Sequence, residues 1–207
     1  MAAESKECNI CGITKSIGNF SANRGACNKC RTSRNRDRQN STVELFLGAR
    51  LTSIKQRHKQ KNYDEVLKYG PGALQQAETK NTKRVPEISR IIGDSHCMKK
   101  QYAEAIPYLE TYHAAASESD ITREDHYQLA YAYHRSSQWE KAIQEYTKCT
   151  GEPDELHQKA SYNLGECYLK LDQKEYARNA FAEAADMSLN AEIQEDALFN
   201  YSKLAFE

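Results

Sequence analysis

Four cysteines in two closely spaced pairs are the residues of this chain whose types and spacing most directly indicate chemistry. Cys8 and Cys11 form the first pair, Cys27 and Cys30 form the second, and 15 residues lie between the pairs. Each Cys-x-x-Cys turn can aim two sulfurs at one ion, and two such turns complete the tetrahedron that zinc prefers. The spacing therefore predicts a structural Zn²⁺ site. Because protein thiolates fill all four positions, we expect no metal-activated water.

A redox role is the alternative interpretation of a single Cys-x-x-Cys, but the strand-helix-strand pattern that such a motif needs is absent around both pairs. Seven cysteines, an odd number, also fit poorly with a secreted disulfide framework. The segment between the pairs offers only Ile13, Ile17 and Phe20 as apolar mass. We expect this segment to fold around its metal, across a short loop or hairpin.

A basic stretch follows the second cysteine pair. Lysine or arginine occurs at every second or third position, interleaved with small hydrogen-bonding residues: Lys29, Arg31, Arg34, Arg36 and Arg38. This pattern suits contact with the phosphates of DNA or RNA, although a solvated linker is the alternative because no aromatic residue offers a stacking platform. A second basic cluster, which includes Lys55 and Arg57, lies on a helix predicted over about 43–60.

Charge divides the chain into two halves, although the formal net charge is zero. Residues 1–62 hold 13 Lys/Arg against 4 Asp/Glu, a net charge of +9, and residues 63–207 hold 16 against 25, a net charge of −9. The basic half is expected either to attract an anionic partner or to fold back on the acidic half.

The first 60 residues or so resemble the zinc-binding leader of HNH-type endonucleases from phages and bacteria. The resemblance is carried by Cys8-Asn-Ile-Cys11, Phe20, Cys27-Asn-Lys-Cys30 and the basic helix around residues 50–57. It implies a zinc module at the start of the chain. No pair of catalytic histidines with an intervening asparagine follows Lys61, so the resemblance carries no nuclease activity with it.

A repeating pattern begins at about Tyr63. Each of three segments has a small residue, an alanine 12 positions later and a large apolar residue four positions beyond: Gly93, Ala105 and Leu109; Ala130, Ala142 and Tyr146; Gly165, Ala177 and Phe181. This pattern resembles the tetratricopeptide repeat (TPR), whose period is 34 residues; here the spacings are 37 and 35. The small residues let two helices approach closely, and the large ones fill the remaining gap.

These observations predict an all-α fold, a TPR-like solenoid of helical hairpins preceded by a small zinc-binding module. The predicted domains are 1–40, the zinc module with its basic arm; 41–85, a basic helix and degenerate first repeat; and 86–207, repeats at about 86–119, 123–156 and 158–191 with a terminal helix at 192–207. A single hairpin has too little core, so the units must stack. The Gly70-Pro71-Gly72 stretch is expected to kink or break its helix.

The TPR resemblance implies a groove that binds a protein or peptide, lined by side chains that alternate with core positions on the first helix of each hairpin. These groove residues are Arg90, Asp94, Tyr127, Tyr131, His134, Tyr162 and Glu166. The alternative is that neighbouring repeats cover this aromatic stripe.

No catalytic motif accompanies this fold in the sequence, and the expected function is a non-enzymatic protein-protein interaction scaffold. The start of the chain lacks a signal peptide and no apolar stretch is long enough for a membrane span, so we expect a cytoplasmic protein without a membrane partner. Two alternatives remain at this point. The chain could be a nucleic-acid-binding accessory factor related to the HNH leaders, or an artificial fusion of two unrelated modules.

Overall fold

The structure is a computed structural model that describes residues 5–8, 14–16, 28–80 and 82–206. The chain divides into two compact units, Met1–Thr52 and Ser53–Glu207, which we call the N-terminal and C-terminal units. The division falls inside the first helix. Among the described residues, no helix combines the length and the apolar character needed to cross a membrane.

The N-terminal unit contains a two-stranded antiparallel hairpin and most of a long helix. Strand β1 (Ser5–Glu7) pairs with β2 (Thr14–Ser16), with Ser5 opposite Ser16 and Glu7 opposite Thr14. Helix α1 (Asn28–Lys59) follows. Cys8 comes directly after β1 and Cys30 lies in the first turn of α1, so a strand end and a helix start position these two thiols.

The sequence predicted a basic arm followed by a separate helix at 43–60. In the structure, the single helix α1 covers both segments. Residues 32–42 are exposed on every side. Within this stretch the Thr32 hydroxyl donates to the Asn28 carbonyl at 2.9 Å, and Thr42 donates to the Arg38 carbonyl at 2.9 Å. Arginine and glutamine are good helix formers, and the threonine hydroxyls satisfy their own hydrogen bonds inside the helix.

The C-terminal unit is a series of antiparallel helical hairpins. The helices after α1 are α2 (Tyr63–Thr79), α3 (Val85–Met98), α4 (Tyr102–Ala115), α5 (Arg123–Arg135), α6 (Trp139–Thr147), α7 (Glu155–Lys170), α8 (Lys174–Asp186) and α9 (Ala191–Phe206). Helices α3 with α4, α5 with α6, and α7 with α8 form three hairpins, close to the three predicted repeats.

Four turns between consecutive helices share one conformation. Lys61, Lys100, Ser137 and Asp172 adopt left-handed backbone angles, with φ of 59°, 60°, 60° and 56°. At the second turn, Lys100 donates to the Cys97 carbonyl and Gln101 to the His96 carbonyl, both at 2.9 Å, and equivalent bonds occur at the other three turns. This is the Schellman arrangement of a helix end. The turn between α1 and α2 therefore has the same geometry as the turns of the three clear repeats.

The close approach predicted at the small residues is observed. A methyl group on Gly93 would lie 2.6 Å from Leu109 Cδ2, and one on Gly165 would lie 2.7 Å from the Phe181 ring. The alanines 12 positions later are fully buried, as is Phe181, and Leu109 is buried. Glycine is needed at 93 and 165 because any side chain there would displace the partner helix.

The stretch Gly70-Pro71-Gly72 was predicted to kink or break its helix. Helix α2 continues through it, so a break is wrong. The buried residues of this helix recur at helical spacing: Val66, Gly70, Ala73, Leu74 and Ala77. This apolar stripe anchors both halves of the helix, and tertiary packing of this kind overrides the weak helix preference of proline and glycine.

Candidate functional site

The seven predicted groove residues lie on α3, α5 and α7, and we call this surface the first-helix face. They fall in two columns of equivalent repeat positions and one further site: Arg90, Tyr127 and Tyr162; Asp94, Tyr131 and Glu166; and His134. Arg90 is exposed, the other five residues of the two columns are half-buried, and His134 is buried. The structure therefore brings six of the seven to an accessible surface.

Two stacked tyrosines form the aromatic centre of the first-helix face. The Tyr127 and Tyr131 rings lie 6.2 Å apart at an interplanar angle of 13°, and Tyr102 of α4 meets Tyr131 edge-on at 5.5 Å. The Tyr127 hydroxyl accepts a hydrogen bond from Asn163 at 3.0 Å, and burial raises the pKa of Tyr127 to about 12. Tyr127 thus contributes mainly to packing between repeats, whereas Tyr131 retains an accessible edge.

His134 belongs to the core, which corrects its assignment to an exposed stripe. Its ring packs edge-on against Trp139 at 5.4 Å, and Nδ1 lies 3.5 Å from the Tyr146 hydroxyl. Burial, followed by the positive charges of Arg135 and Lys170, lowers the pKa of His134, although Glu166 lies 3.9 Å away. Burial on the inner side of the helix leaves this imidazole neutral near pH 7.

Two carboxyl groups of the first-helix face are partly buried, and nearby positive charges and hydrogen bonds offset only part of the cost of burying their charge. Burial raises the pKa of Asp94, although Arg90 and a hydrogen bond with Gln128 act in the opposite direction. Asp94 Oδ1 is enclosed by protein and has no hydrogen-bond partner within residues 28–80 and 82–206 or the other described segments. Burial also raises the pKa of Glu166, whose side chain remains 41% exposed. Both groups would gain from a nearby cation.

Arg90 already has partners at the edge of this face. Its Nε lies 3.1 Å from Asp125 Oδ1, and its guanidinium carbon lies 5.6 Å from the centre of the Tyr112 ring. Asp125 is buried and caps α5 together with Thr122. Arg90 therefore links one repeat to the next, and its guanidinium group is already engaged by these contacts.

The two described members of the cysteine set lie close together. Cys8 Sγ and Cys30 Sγ are 3.8 Å apart although 22 positions separate them in the sequence. Cys8 is buried and Cys30 is half-buried. Cys11 and Cys27 lie outside the described residues.

The predicted nucleic-acid contacts split into two groups. Lys29, Arg34, Arg36 and Arg38 are exposed on α1, and Arg31 is half-buried. By contrast, Lys55 forms an ion pair with Glu87, and Arg57 Nε lies 2.6 Å from Glu65 Oε2 while its guanidinium group lies over the Tyr69 ring. Lys55 and Arg57 thus serve contacts inside the C-terminal unit.

The sequence model of the family described as "Anaphase-promoting complex, cyclosome, subunit 3" matches residues 98–184. Among solved structures, the nearly identical TPR-like repeats of a kinesin light chain from Podosopora anserina superpose with a TM-score of 0.55 at 13% identity, covering 76% of this chain and 84% of that chain. A second structure of those repeats gives a TM-score of 0.54 at 13% identity over the same shares. No curated protein matches the sequence.

The C-terminal unit has a TPR-like repeat fold. This confirms the predicted helical repeat solenoid, a fold that is typical of protein-protein interaction scaffolds and is typically not enzymatic.

The TPR-like repeats also reveal two polar residues that the sequence analysis missed. Gln128 and Asn163 occupy equivalent positions, and each reaches back to the first helix of the preceding repeat, Gln128 to Asp94 and Asn163 to Tyr127. The repeat alignment itself could have identified them, since both follow a groove tyrosine by one position.

Three further cysteines lie in the C-terminal unit. Cys149 and Cys167 are fully buried and Cys97 is half-buried. Burial raises the pKa of each of these thiols to about 12, so none is a reactive thiolate near neutral pH.

Proposed function

We propose that this protein is a non-catalytic binding scaffold whose first-helix face holds a cationic segment of a partner protein. The observation that carries the proposal is the pair of half-buried carboxyl groups, Asp94 and Glu166, on equivalent positions of α3 and α7. Burial penalises the charged form of each group. A lysine or arginine of the partner, bound at this face, would offset that penalty.

The aromatic residues of the same face favour the same kind of ligand. Tyr131 lies in the same column as the two carboxyl groups, Tyr162 lies in the other column, and both tyrosines are half-buried. Tyrosine rings attract ammonium and guanidinium groups and also pack against their aliphatic stems. A peptide that alternates cationic and apolar side chains therefore matches the chemistry of this surface.

The overall charge of the repeats supports the proposal at longer range. Residues 63–207 carry a net charge of −9. Such a charge raises the rate at which a cationic partner associates, and the effect weakens as salt is added.

Fluorescence anisotropy with the full chain tests this proposal. The probe is a labelled peptide of alternating lysine and leucine, and the comparison peptide has glutamate in place of lysine. We expect the lysine peptide to bind at least about tenfold more tightly, and Glu166→Gln to weaken it several-fold. Glu175→Gln is the matched control, because it removes the same charge from an exposed position on α8. Equal affinity for both peptides, or equal losses in both variants, would refute the proposal.

We also propose that Cys8, Cys11, Cys27 and Cys30 hold one structural Zn²⁺. A tetrahedral zinc ion with Zn–S bonds of about 2.3 Å sets its sulfurs about 3.8 Å apart. The distance of 3.8 Å between Cys8 Sγ and Cys30 Sγ agrees with this value and is far longer than a disulfide bond. Cys30 in the first turn of α1 also gains from the positive end of the helix dipole, which favours its thiolate. Bound zinc would supply structural cross-linking only.

A second candidate function is phosphate contact through α1. Arg31, Arg34 and Arg38 follow i, i+3 and i+7 spacing and share one side of the helix, whereas Arg36 lies on the opposite side. If this side binds DNA or RNA, the Arg34→Ala/Arg38→Ala double variant should reduce the salt slope of a mobility-shift assay by about 2, while Arg36→Ala changes it less. Absence of any shift at low salt would exclude this function.

A further inference from the structure

Three potential metal ligands converge in the C-terminal unit at a place that the binding face does not use. His113 of α4, His126 of α5 and Glu145 of α6 each offer one ligand atom, and these atoms all lie within 4.8 Å of one another. The two imidazole rings are 4.9 Å apart, and His126 Nδ1 lies 2.7 Å from Glu145 Oε2. We call these three residues the His113 cluster.

The cluster lines an open cavity of about 570 Å³ between the α3–α4 hairpin and the α5–α6 hairpin. Glu110 and Lys148 also line it, so an ion could enter from solvent and retain water as a further ligand. Glu110 is occupied, because its Oε1 accepts hydrogen bonds from Tyr133 at 2.6 Å and from Lys141 at 3.3 Å.

The histidine at the centre of the cluster lacks a hydrogen-bond partner for one nitrogen. His113 Nε2 is enclosed by protein and makes no hydrogen bond to any part of the chain that the structure describes. A buried imidazole nitrogen without a partner is costly, and a bound metal ion would satisfy it. Burial, followed by the neighbouring His126, lowers the pKa of His113, so its ring is neutral and able to bind a metal near pH 7.

Glu145 completes the set with a negative charge. Burial alone would raise its pKa, but hydrogen bonds from Lys148 and His126 outweigh burial and lower the pKa of Glu145. Its two oxygens contact different groups, since Lys148 Nζ lies 2.8 Å from Oε1 while His126 faces Oε2. Metal binding would replace the His126 contact and leave the Lys148 contact in place.

The chain contains other histidine-carboxylate pairs that serve as internal comparisons. His157 Nε2 lies 2.9 Å from Glu183 Oε1, and His134 Nε2 lies 3.9 Å from Glu166 Oε2. Within the described residues, the His113 cluster alone gathers three ligand groups at this distance. Close histidine-carboxylate pairs therefore recur in these repeats, and the added second imidazole distinguishes the cluster.

We propose that His113, His126 and Glu145 bind a divalent transition-metal ion, of which Zn²⁺ is the best match. Two histidines and one carboxylate are a recurrent zinc donor set with a fourth position left for water. Zinc-ligand bonds of about 2.0–2.1 Å set ligand atoms roughly 3.4 Å apart. Side-chain rotation must therefore bring the most distant ligand atoms closer by up to about 1.4 Å, and must separate His126 Nδ1 from Glu145 Oε2 by about 0.7 Å. The donor atoms of this site, two imidazole nitrogens and a carboxylate oxygen, differ in chemistry from the thiolate set near the start of the chain.

Equilibrium dialysis of the full chain against Zn²⁺, with metal content measured per chain, tests this inference. We expect His113→Gln and Glu145→Gln to remove one equivalent of bound zinc, or to weaken it by at least about tenfold. His157→Gln is the matched control, because it alters a histidine-glutamate pair without a second imidazole, and it should bind as much zinc as the wild type. Unchanged zinc binding in both cluster variants would overturn the proposal.

A spectroscopic measurement on the wild-type protein separates this site from the thiolate set and does not depend on any variant folding. Nitrogen-15 NMR of the histidine side chains during zinc titration should show large shifts at His113 and His126 and small ones at His157. Cobalt bound at the cluster should add absorption without sulfur charge-transfer bands. If the imidazole signals of His113 and His126 do not respond to zinc, the cluster is not a metal site.

Discussion

The N-terminal and C-terminal units reach folded structures by different physical means. In the C-terminal unit, every hairpin buries an alanine and a large apolar residue against its neighbour. In the N-terminal unit, the described buried apolar side chains are Cys8, Leu47 and Leu51, and residues 32–42 of α1 are exposed all round. A helix that is polar on every side gains little from packing. The comparison teaches that stacked repeats support one unit, whereas we infer that a metal ion supports the other.

Removing a thiolate should have the largest effect and should be confined to one side of the comparison. We expect Cys30→Ser to abolish zinc binding at the cysteine set, because it removes one of the four proposed ligands. Structural zinc sites contribute about 10–16 kcal/mol to the folding of small modules. The N-terminal unit should lose structure while the thermal unfolding of the repeats stays unchanged. Cys97→Ser is the control, since that thiol lies within the repeats. A Cys30→Ser variant with full zinc content would contradict the assignment.

Removing a large core residue from the repeats should destabilise the C-terminal unit instead of the N-terminal unit. Phe181 is fully buried against Gly165, so Phe181→Ala should lower the free energy of unfolding of the repeats by about 3–5 kcal/mol. Phe199→Ala, at a side chain that is 71% exposed on α9, should change it by less than about 0.5 kcal/mol. Urea denaturation monitored by circular dichroism measures both. Similar losses in the two variants would show that stacking is not the main support of this unit.

The buried His134 should make the stability of the repeats depend on pH. Its pKa is lowered in the folded protein, so the unfolded chain binds the proton more readily as pH falls below about 6.5. Stability should therefore fall below that pH, by at most about 1.4 kcal/mol per pH unit from this group, and be independent of His134 above it. Unfolding curves between pH 5 and 8 should show a flatter dependence in His134→Gln. An identical slope in the wild type and the variant would count against a buried neutral imidazole.

The smallest predicted effect is at a turn. Ser137 has a φ of 60°, a conformation that glycine adopts without steric cost, so Ser137→Gly should stabilise the repeats by about 0.5–1 kcal/mol. Ser136→Gly is the control, because Ser136 has a φ of −102° and glycine there should be neutral or destabilising. Calorimetric melting temperatures give the comparison. A loss of stability in Ser137→Gly would show that the serine side chain matters more than backbone strain.

Much of the repeat fold could be predicted from the sequence, since the same spacing of small and large residues recurs in three segments. Gly93 and Gly165 must be small because the side chains of Leu109 and Phe181 pack directly against them. The helical state of Lys29–Arg38 was harder to predict, because polar residues with moderate helix propensity carry no hydrophobic periodicity there.

The side-chain environments of the candidate site could be predicted only in part. The spacing placed His134 beside Tyr131 on the first helix. Whether a residue at the boundary between two sides of a helix faces the groove or the core depends on the angle at which the helices pack. The His113 cluster depends even more on packing, because His113, His126 and Glu145 come from three helices and are far apart in the chain. Sequence spacing gives no signal for such a site.

Hydrogen exchange measured by mass spectrometry, with and without zinc chelation, tests most directly the claim that the two units have different supports. Our account predicts that chelation removes the protection of amides in residues 28–46 of α1, while the amides of α3 to α8 keep theirs because stacked hairpins hold them. Protection in residues 28–46 that is the same with and without chelator would contradict the account.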